Sequence, residues 1–435
     1  MEKKVALHNL GCKVNAYETE AMEQMLEEAG YQIVPFAPGA DIYIINTCTV
    51  TNIADRKSRQ MLHKAKKMNP DAIVVATGCY VQVGKERLKK DDAIDLVVGN
   101  NKKKDLLSIL DAYIQGKAGD RDEVLDMKEA LEYENLQLSQ TGEHTRAYLK
   151  VQDGCNQFCS YCIIPYARGR VRSRNKEEVL AEVNRLTANG YQEFVLTGIH
   201  LSSYGIDCGD SLLSLIQAVH SMEGVKRIRL GSLEPRIITE DFARALADMP
   251  KICPHFHLSL QSGCDETLRR MNRRYSAGEY REKCGLLRQV FDNPALTTDV
   301  IVGFPGETEK EFQESREFID GIRFYETHIF KYSRREGTRA AAMENQIQEA
   351  VKAQRSRDLI ALGELHQREY MESFLGKEVE ILFEETVSIQ GKSFWTGHTR
   401  EYIRAVAETD QDLENVIARG TVRGFSTKDT IICEI

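Results

Sequence analysis

The chain has 435 residues, of which 42% are hydrophobic and 29% are charged, a composition typical of globular proteins with about two to four domains. The sequence contains no apolar run of about 18 residues, so no transmembrane helix is predicted. The N-terminus lacks a signal-peptide pattern, and we therefore expect a cytoplasmic protein that does not bind membranes. The net charge of −8 argues against a general polyanion binder but allows a local RNA-binding surface. Eleven cysteines indicate metal ligands rather than disulfides.

Residues 1–115 alternate between strand-like and helix-like segments. The strand-like segments are KVALHNL, ADIYIINT, DAIVVATG and IDLVVG, with amphipathic helices predicted between them. This alternation predicts an α/β domain with a mainly parallel sheet. Residues 116–145 are polar and charged, so we expect a linker with some helix.

Residues 146–374 contain a second alternating series. Its strand-like segments are RAYLKV, EFVLTG, RIRLGS, HFHLSL, TTDVIVGF and ETHIFKYS. Six such units predict a partial (β/α)6 barrel, since a complete barrel has eight. A long charged helix over about residues 347–374 follows. Residues 375–435 carry short strands and turns, the pattern of a small antiparallel β-barrel.

Three cysteines with the spacing C-x3-C-x2-C, namely Cys155, Cys159 and Cys162, come directly after RAYLKV. We therefore expect them at the C-terminal mouth of the barrel, where active sites form. Three thiolates on a short loop can hold three irons of a 4Fe–4S cluster and leave the fourth iron open. The alternative is a zinc site completed by a distant ligand such as His144 or His200.

A second triplet consists of Cys12, Cys48 and Cys79, each of which ends a predicted strand. Because the C-terminal ends of parallel strands share one edge of a sheet, we expect these cysteines to converge there. A small residue precedes each of them, which allows close approach of the backbone to a bulky group. The alternative is three independently buried free cysteines. The other five cysteines have no such placement.

The C-x3-C-x2-C loop resembles that of the radical S-adenosylmethionine (SAM) superfamily, whose cluster binds SAM and cleaves it to a 5′-deoxyadenosyl radical. Two later segments, LTG at the end of the second strand and DVIVGFPGET at the fifth, are similar to SAM-contacting segments of that family. The resemblance implies SAM contacts for Tyr161, Thr197, Gly198, Gly303 and Gly306.

The segments GCKVNAYETE, INTCTVTNIADRKSRQ, TGCY, CSYCIIPYARGRVRSR and SLQSGCDETLRRMNRRY narrow the resemblance to the methylthiotransferase family. It covers the whole chain, with an N-terminal methylthiotransferase domain (1–115), a radical SAM domain (146–374) and a TRAM domain (375–435). It implies that Cys12, Cys48 and Cys79 bind an auxiliary 4Fe–4S cluster that carries the inserted sulfur, so the chain holds two clusters and uses two SAM per product. It also implies an electron donor such as flavodoxin or ferredoxin, and sets no oligomeric state.

The branch that shares GCKVN and INTCTVTN acts on threonylcarbamoyl-adenosine beside the anticodon and adds methylthio at carbon 2. The expected partner is therefore the tRNA anticodon stem-loop. The alternatives are methylthiolation of isopentenyl-adenosine in tRNA or of a ribosomal-protein side chain. A non-enzymatic alternative is an iron–sulfur RNA-binding regulator.

Basic residues supply candidate substrate contacts. Four arginines alternate along ARGRVRSR, namely Arg168, Arg170, Arg172 and Arg174, and on an extended segment they share one face. This face either contacts RNA phosphate or the SAM carboxylate, or forms a salt-bridged rim of the barrel. The carboxylate of the threonylcarbamoyl group requires a cation, which we expect among Arg168, Arg170 and Arg236. The candidates in the TRAM domain are Arg400, Arg404, Arg419, Arg423 and Lys428, with Phe394 and Trp395 as stacking groups.

Two further motifs keep two interpretations each. The segment RRMNRRY, residues 269–275, either contacts RNA or ends a helix in solvent. Asn15 either approaches the auxiliary cluster or caps a helix at Tyr17.

Overall fold

The computed structural model of the protein describes residues 3–117, 122–127, 130, 132–138 and 145–435. The first domain contains a six-stranded parallel sheet in the order β2-β1-β3-β4-β5-β6. Its strands are β1 (Lys4–Asn9), β2 (Gln32–Ile33), β3 (Ile42–Thr47), β4 (Ile73–Gly78), β5 (Leu96–Val98) and β6 (Asp122–Glu123). Its helices are α1 (Lys13–Glu28), α2 (Asn52–Met68), α3 (Cys79–Leu88) and α4 (Leu106–Ile114). The predicted parallel α/β domain is confirmed.

The segment 116–145 differs from the expected linker with some helix. It adds β6 to the edge of the sheet, and its described residues contain no helix. Leu136 and Leu138 are buried against Tyr17 of α1. These two leucines are therefore covered by the first domain, whereas a solvated linker would leave them exposed.

The second domain is a partial barrel built from two parallel sheets, β10-β9-β7 and β11-β12-β13, which are joined by isolated bridges such as Leu233 to Leu258. Its strands are β7 (Arg146–Asp153), β8 (Arg172–Ser173), β9 (Glu193–Gly198), β10 (Arg227–Leu230), β11 (His255–His257), β12 (Ala295–Val302) and β13 (Glu326–Lys331), of which β8 is a short antiparallel addition beside β7. Its helices are α5 (Ile164–Arg168), α6 (Lys176–Ala188), α7 (Leu212–Ser221), α8 (Glu240–Ala247), α9 (Asp265–Arg270), α10 (Ala277–Val290), α11 (Glu309–Ile322) and α12 (Glu349–Glu372). The predicted partial (β/α)6 barrel is confirmed.

The barrel has an apolar outer layer and a polar lumen. On β7, the side chains of Ala147, Leu149 and Val151 pack with the helices in the outer core. Because successive strand residues point to opposite faces, the alternate residues face the lumen. They are Arg146, Tyr148, Lys150 and Gln152.

The third domain is a closed barrel with the strand order β14-β15-β16-β18-β17. Its strands are β14 (Glu378–Ile389), β15 (Lys392–Thr399), β16 (Arg404–Ala407), β17 (Ile417–Thr427) and β18 (Thr430–Glu434). The predicted small barrel is confirmed, with one difference: the pair β16–β18 is parallel, because β18 runs opposite to β17 and closes the gap beside β16.

The third domain covers the N-terminal ends of the strands of the second domain. Arg146 and Arg227, the first residues of β7 and β10, form ion pairs with Glu384 and Glu380 of β14, the latter at 2.9 Å. The ring of Tyr402 lies 5.1 Å from the guanidinium of Arg146. The lumen is thus closed at the end opposite the cysteine loop. No helix in the described part of the chain has the length and apolarity that a membrane span requires.

Candidate functional site

The triplet of Cys12, Cys48 and Cys79 lies at the C-terminal edge of three neighbouring strands. Cys12 caps the N-terminus of α1 after β1, Cys48 follows β3, and Cys79 is the first residue of α3 after β4. A Cβ on Gly11 would lie 3.0 Å from the Sγ of Cys48, so these two loops touch. Gly78 has φ +95° and no room for a side chain beside the Thr47 carbonyl, which fixes the turn that presents Cys79.

Arg168 of α5 joins this triplet to the second domain. Its Nε donates a hydrogen bond to the Sγ of Cys79 at 3.1 Å, and its Nη2 donates to the Oδ1 of Asn15 at 2.5 Å. The remaining N–H groups donate to Glu18 and Asp153. All five guanidinium donors are therefore used, and the side chain is fully buried. This arrangement corrects the expectation that Arg168 contacts substrate.

Asn15 lies within α1, which begins at Lys13, so the interpretation that it caps a helix at Tyr17 is wrong. Its Nδ2 donates to the carbonyls of Leu10 (2.7 Å) and Thr47 (3.0 Å), and thereby holds the loops of Cys12 and Cys48 together. The pattern missed this role because the amide bonds backbone that is distant in sequence.

A buried charge network supports Arg168 from behind. The carboxylate of Glu18 lies 3.1 Å from Lys103 Nζ and 2.7 Å from Lys150 Nζ, in addition to Arg168. Burial opposes ionisation of Glu18, but Arg168, Lys103 and Lys150 outweigh it and hold its pKa well below the usual range. Glu18 is thus ionised at neutral pH, and its carboxylate is shared by three cations, two of which also pair with Asp153.

We expect Glu18→Gln to lower the free energy of unfolding by about 3–5 kcal/mol, because removing one partner leaves buried charges uncompensated. Urea titration followed by circular dichroism measures this. Glu27→Gln, an exposed change in the same helix, is the matched control and should cost less than about 0.5 kcal/mol. Equal stability of the two variants would contradict the network's role.

The triplet of Cys155, Cys159 and Cys162 occupies the loop after β7, at the C-terminal mouth of the barrel. A Cβ on Gly154 would lie 1.8 Å from the Arg170 carbonyl, so only glycine permits the turn into Cys155. The amide of Cys155 donates to the Gly169 carbonyl, and that of Cys162 donates to the Cys159 carbonyl, both at 3.0 Å. The loop is therefore fixed by its own backbone.

The segment 269–275 packs under this loop. Arg273 Nη1 donates to the Sγ of Cys159 at 3.3 Å, and Arg273 Nε donates to the Tyr275 hydroxyl at 2.9 Å. The Nδ2 of Asn272 donates to the Phe158 carbonyl at 3.0 Å. Asn272 and Arg273 thus support the cysteine loop, whereas Arg269 is exposed to solvent near the end of α9, as one of the two interpretations expected. The RNA contact of this segment stays a prediction. Sequence reasoning missed Arg273 because more than a hundred residues separate it from its partner.

The segments expected to contact SAM surround the same loop. Gly198 ends β9 beside Gln152, whose Nε2 donates to the Asp153 and Gly154 carbonyls at 2.7 Å each. Gly303 and Gly306 lie in the loop after β12, with φ +69° and +76°. Thr197 is buried within β9 next to Gly198, and the Tyr161 ring packs against Phe304 with centroids 6.4 Å apart. The five residues thus assemble around the cysteine loop at one end of the barrel.

The spacing of the thiols separates the two metal interpretations. Three thiolates on one zinc ion lie about 3.8 Å apart, since each Zn–S bond is about 2.3 Å and the geometry is tetrahedral. In the described part of the chain, the group His257, Asp299 and His328 brings three potential ligand atoms within 4.8 Å of one another, and neither cysteine triplet does. The thiols are spread more widely than one zinc ion would hold them. His144 lies outside the described residues, and the Nδ1 of His200 lies 2.5 Å from the hydroxyl of Ser203.

Burial favours the neutral form of four of these thiols. It raises the pKa of Cys48 and Cys155 to about 11 and that of Cys162 to about 12. Burial also raises the pKa of Cys12, although the Arg168 charge opposes it. Because metal-bound thiols are deprotonated, metal binding at both triplets releases protons and is favoured as pH rises.

The remaining arginines of ARGRVRSR do not share one face. Arg170 is exposed and stacks over the Phe158 ring at 4.9 Å. Arg172 and Arg174 are buried, and Arg174 pairs with Glu182 at 2.7 Å. The expected extended segment is wrong at its start because Arg168 ends a helix.

The other candidate cations are largely paired. Arg236 bonds to Glu234 at 2.7 Å and remains 44% exposed. Arg400 donates to the carbonyls of Pro250 and Ile252, so it fixes the third domain to the second. Arg404 is exposed on β16. Three further cations of the third domain pair with carboxylates: Arg419 with Glu378, Arg423 with Glu434, and Lys428 with Glu364.

Comparison with known proteins agrees with this geometry. Residues 4–99 match the family model described as "Uncharacterized protein family UPF0004", and residues 149–319 match the radical SAM superfamily. The chain is 41% identical to the threonylcarbamoyladenosine tRNA methylthiotransferase MtaB of Bacillus subtilis, over 95% of this chain and 92% of that protein. The chain belongs to the radical SAM methylthiotransferase family, in its threonylcarbamoyladenosine branch.

Other relatives of this methylthiotransferase belong to the threonylcarbamoyladenosine branch and to the dimethylallyladenosine branch. The Aquifex aeolicus MtaB is 42% identical over 87% of this chain and 92% of its own length. A tRNA-2-methylthio-N(6)-dimethylallyladenosine synthase of Acetivibrio thermocellus is 34% identical over 99% of this chain and 91% of its own. The radical SAM methyltransferase TsrM of Kitasatospora setae has the same fold, with a TM-score of 0.58 at 16% identity over 76% of this chain and 75% of that one.

The protein is a radical SAM enzyme that uses SAM and two 4Fe–4S clusters, and tRNA is its substrate. The residues present fit these groups. Each triplet offers three thiols spread beyond the span of a single ion, and each receives an arginine N–H on a sulfur, from Arg168 or Arg273. Cationic donors on thiolate sulfurs are expected where an anionic cluster is held.

Proposed function

We propose that the protein inserts a methylthio group at carbon 2 of threonylcarbamoyl-adenosine beside the tRNA anticodon. One observation carries this proposal: the buried Arg168 belongs to α5, directly after the loop of Cys155, Cys159 and Cys162, and donates a hydrogen bond to the Sγ of Cys79 in the other domain. The two triplets fit a reaction that needs a radical source and a sulfur source in one site. The identity to MtaB proteins over nearly the whole chain supports the choice of substrate.

We propose that Cys155, Cys159 and Cys162 hold the cluster that binds SAM, and that Cys12, Cys48 and Cys79 hold the auxiliary one. When bound, these groups supply the radical and the inserted sulfur. The proposed SAM contacts are Tyr161, Thr197, Gly198, Gly303 and Gly306. The apolar cluster of Met271, Phe304, Tyr332 and Ala340 beside Tyr161 excludes water from this side of the site.

The division of labour among the domains is also proposed here. Residues 1–115 hold the auxiliary cluster, residues 146–374 carry out the radical chemistry, and residues 375–435 add RNA-binding surface, with 116–145 as the connection. Arg170 and Arg404 are exposed and are our candidates for contacts with the anticodon stem-loop. We place the enzyme in the cytoplasm, with flavodoxin or ferredoxin as electron donor.

We expect deletion of the gene to remove methylthio-threonylcarbamoyl-adenosine from tRNA and to leave the unthiolated nucleoside in its place. Mass spectrometry of nucleosides from digested tRNA measures both. Complementation with the wild-type gene should restore the modified nucleoside. If the methylthio-isopentenyl nucleoside disappears instead, the substrate assignment fails.

A further inference from the structure

Lys13 is a cation that the first domain places at the lumen of the second. It directly follows Cys12, and its Nζ lies 5.9 Å from the centroid of the Tyr148 ring on the lumen face of β7. Its side chain remains exposed although it sits between two domains. The lumen is therefore accessible beside Lys13.

Lys13 pairs with no carboxylate among the described residues. Within the described part of the chain, its ammonium contacts the Tyr148 ring and has no ion-pair partner. The charges that act on it are those of Arg229, Arg146 and Glu193. Glu193 already pairs with Arg146 at 3.0 Å and with Arg229 at 2.7 Å. The lumen thus has an unpaired positive charge and favours an anionic ligand.

Strands β11 to β13 offer polar groups to the same lumen. The side chain of Val300 packs into the outer core, so the adjacent Asp299 faces the lumen. His328 is paired with Asp299 across strands β12 and β13 and therefore faces the lumen as well. His257 Nε2 lies 3.4 Å from the Asp299 carboxylate and, among the described residues, makes no hydrogen bond although it is buried. Phe330, two residues beyond His328, is 46% exposed.

We propose that the barrel lumen is the binding pocket for the threonylcarbamoyl group and that Lys13 binds its carboxylate. This inference rests on the proposed function and names the specificity-determining residue of that site. Of the cations expected from sequence, Arg168 has no free donor, Arg236 already has a carboxylate partner, and Arg170 is exposed and stacks over the Phe158 ring. The aromatic ring of Phe330 and the hydrogen-bonding atoms of Asp299 and His257 suit a base and a hydroxyl.

The position of Lys13 explains how the two tRNA branches can differ. An isopentenyl group brings no anion, so binding it here would cover the Lys13 ammonium without a partner. A site that must leave a buried charged group unpaired rejects the wrong substrate strongly. Since Lys13 is adjacent to Cys12, recognition of the carboxylate also holds the base beside the auxiliary triplet.

The test compares two RNAs and three proteins by fluorescence anisotropy. The RNAs are an anticodon stem-loop with threonylcarbamoyl-adenosine and the same RNA with its threonyl carboxylate as a methyl ester. The proteins are the reconstituted wild type, Lys13→Met and the matched control Arg236→Met. We expect Lys13→Met to lower affinity for the carboxylate RNA by about 10- to 100-fold and not to change affinity for the ester. Arg236→Met should change both by less than about threefold.

The methyl ester provides a measurement that does not depend on the folding of a variant. Wild-type protein should bind it about 10- to 100-fold more weakly than the carboxylate RNA. The loss of affinity from esterification and the loss from Lys13→Met should not add when both changes are combined. Lys13→Arg, which keeps the charge, should recover part of the affinity, and iron content checks the adjacent cluster.

If Lys13→Met lowers affinity for both RNAs equally, Lys13 contacts a phosphate and not the threonyl carboxylate. If Arg236→Met lowers affinity for the carboxylate RNA more than Lys13→Met does, Arg236 binds the carboxylate. Either result overturns the inference. A loss of SAM affinity measured without RNA also overturns it. If wild-type protein forms no methylthio product from the carboxylate RNA, the proposed function itself fails.

Discussion

Replacing Cys12, Cys48 and Cys79 together by alanine should abolish methylthio product while cleavage of SAM to 5′-deoxyadenosine stays within about tenfold of the wild-type rate. The three cysteines lie in the first domain, whereas the loop of Cys155 is fixed by its own backbone and by Arg273. Iron should fall from about eight to about four atoms per chain. Alanine is the appropriate replacement because a buried serine hydroxyl would add its own desolvation cost.

The matched control for this variant is the joint replacement of Cys253, Cys284 and Cys433 by alanine. All three are buried and belong to neither triplet; Cys284 and Cys433 lie in apolar cores, and Cys253 lies near the charge of Arg229. The control should keep all its iron and form product. Methylthio product at the wild-type yield from the Cys12, Cys48 and Cys79 variant would refute the auxiliary role of that triplet.

The fold was predictable because apolar residues recur along its strands and along its helices in different patterns. Strands β3 and β4 read as continuous apolar runs, as expected of strands covered on both faces, and the helices between them read as amphipathic. Parallel topology then places Cys12, Cys48 and Cys79 at one edge, so a long-range triplet could be found without coordinates. The parallel pair β16–β18 was not predictable, because a barrel's closing pair depends on three-dimensional strand order.

The residues that support the cysteines could not be predicted from spacing. Arg168 reads as one of four alternating arginines, but the short helix α5 turns it inward, and its partners Asn15 and Glu18 belong to another domain. Lys13 belongs to the motif GCKVN, but the motif does not indicate which part of the site its side chain faces. Only the packing of α1 against β7 shows this. Local patterns identify metal ligands, whereas contacts between domains decide which charges remain free for a substrate.

Replacing Cys155, Cys159 and Cys162 together by alanine should have the larger effect on catalysis. SAM cleavage should become undetectable, because the chain then lacks the thiols that we propose hold the SAM-binding cluster. About four irons per chain should remain at the auxiliary triplet. Arg168 still donates to Cys79, and the Glu18 network that fixes it does not use the removed thiols, so the first domain should keep its structure.

Anaerobic chromatography of SAM products and iron analysis measure these two outcomes on one sample. The single change Arg273→Met is the companion variant, since it removes the N–H donated to Cys159 and keeps every thiol. It should retain about eight irons but lower the reduction potential of the SAM-binding cluster, because hydrogen bonds to the sulfurs raise that potential. Redox titration followed by EPR detects the change. A triple variant that keeps all its iron, or still cleaves SAM, would show that these cysteines are not the ligands.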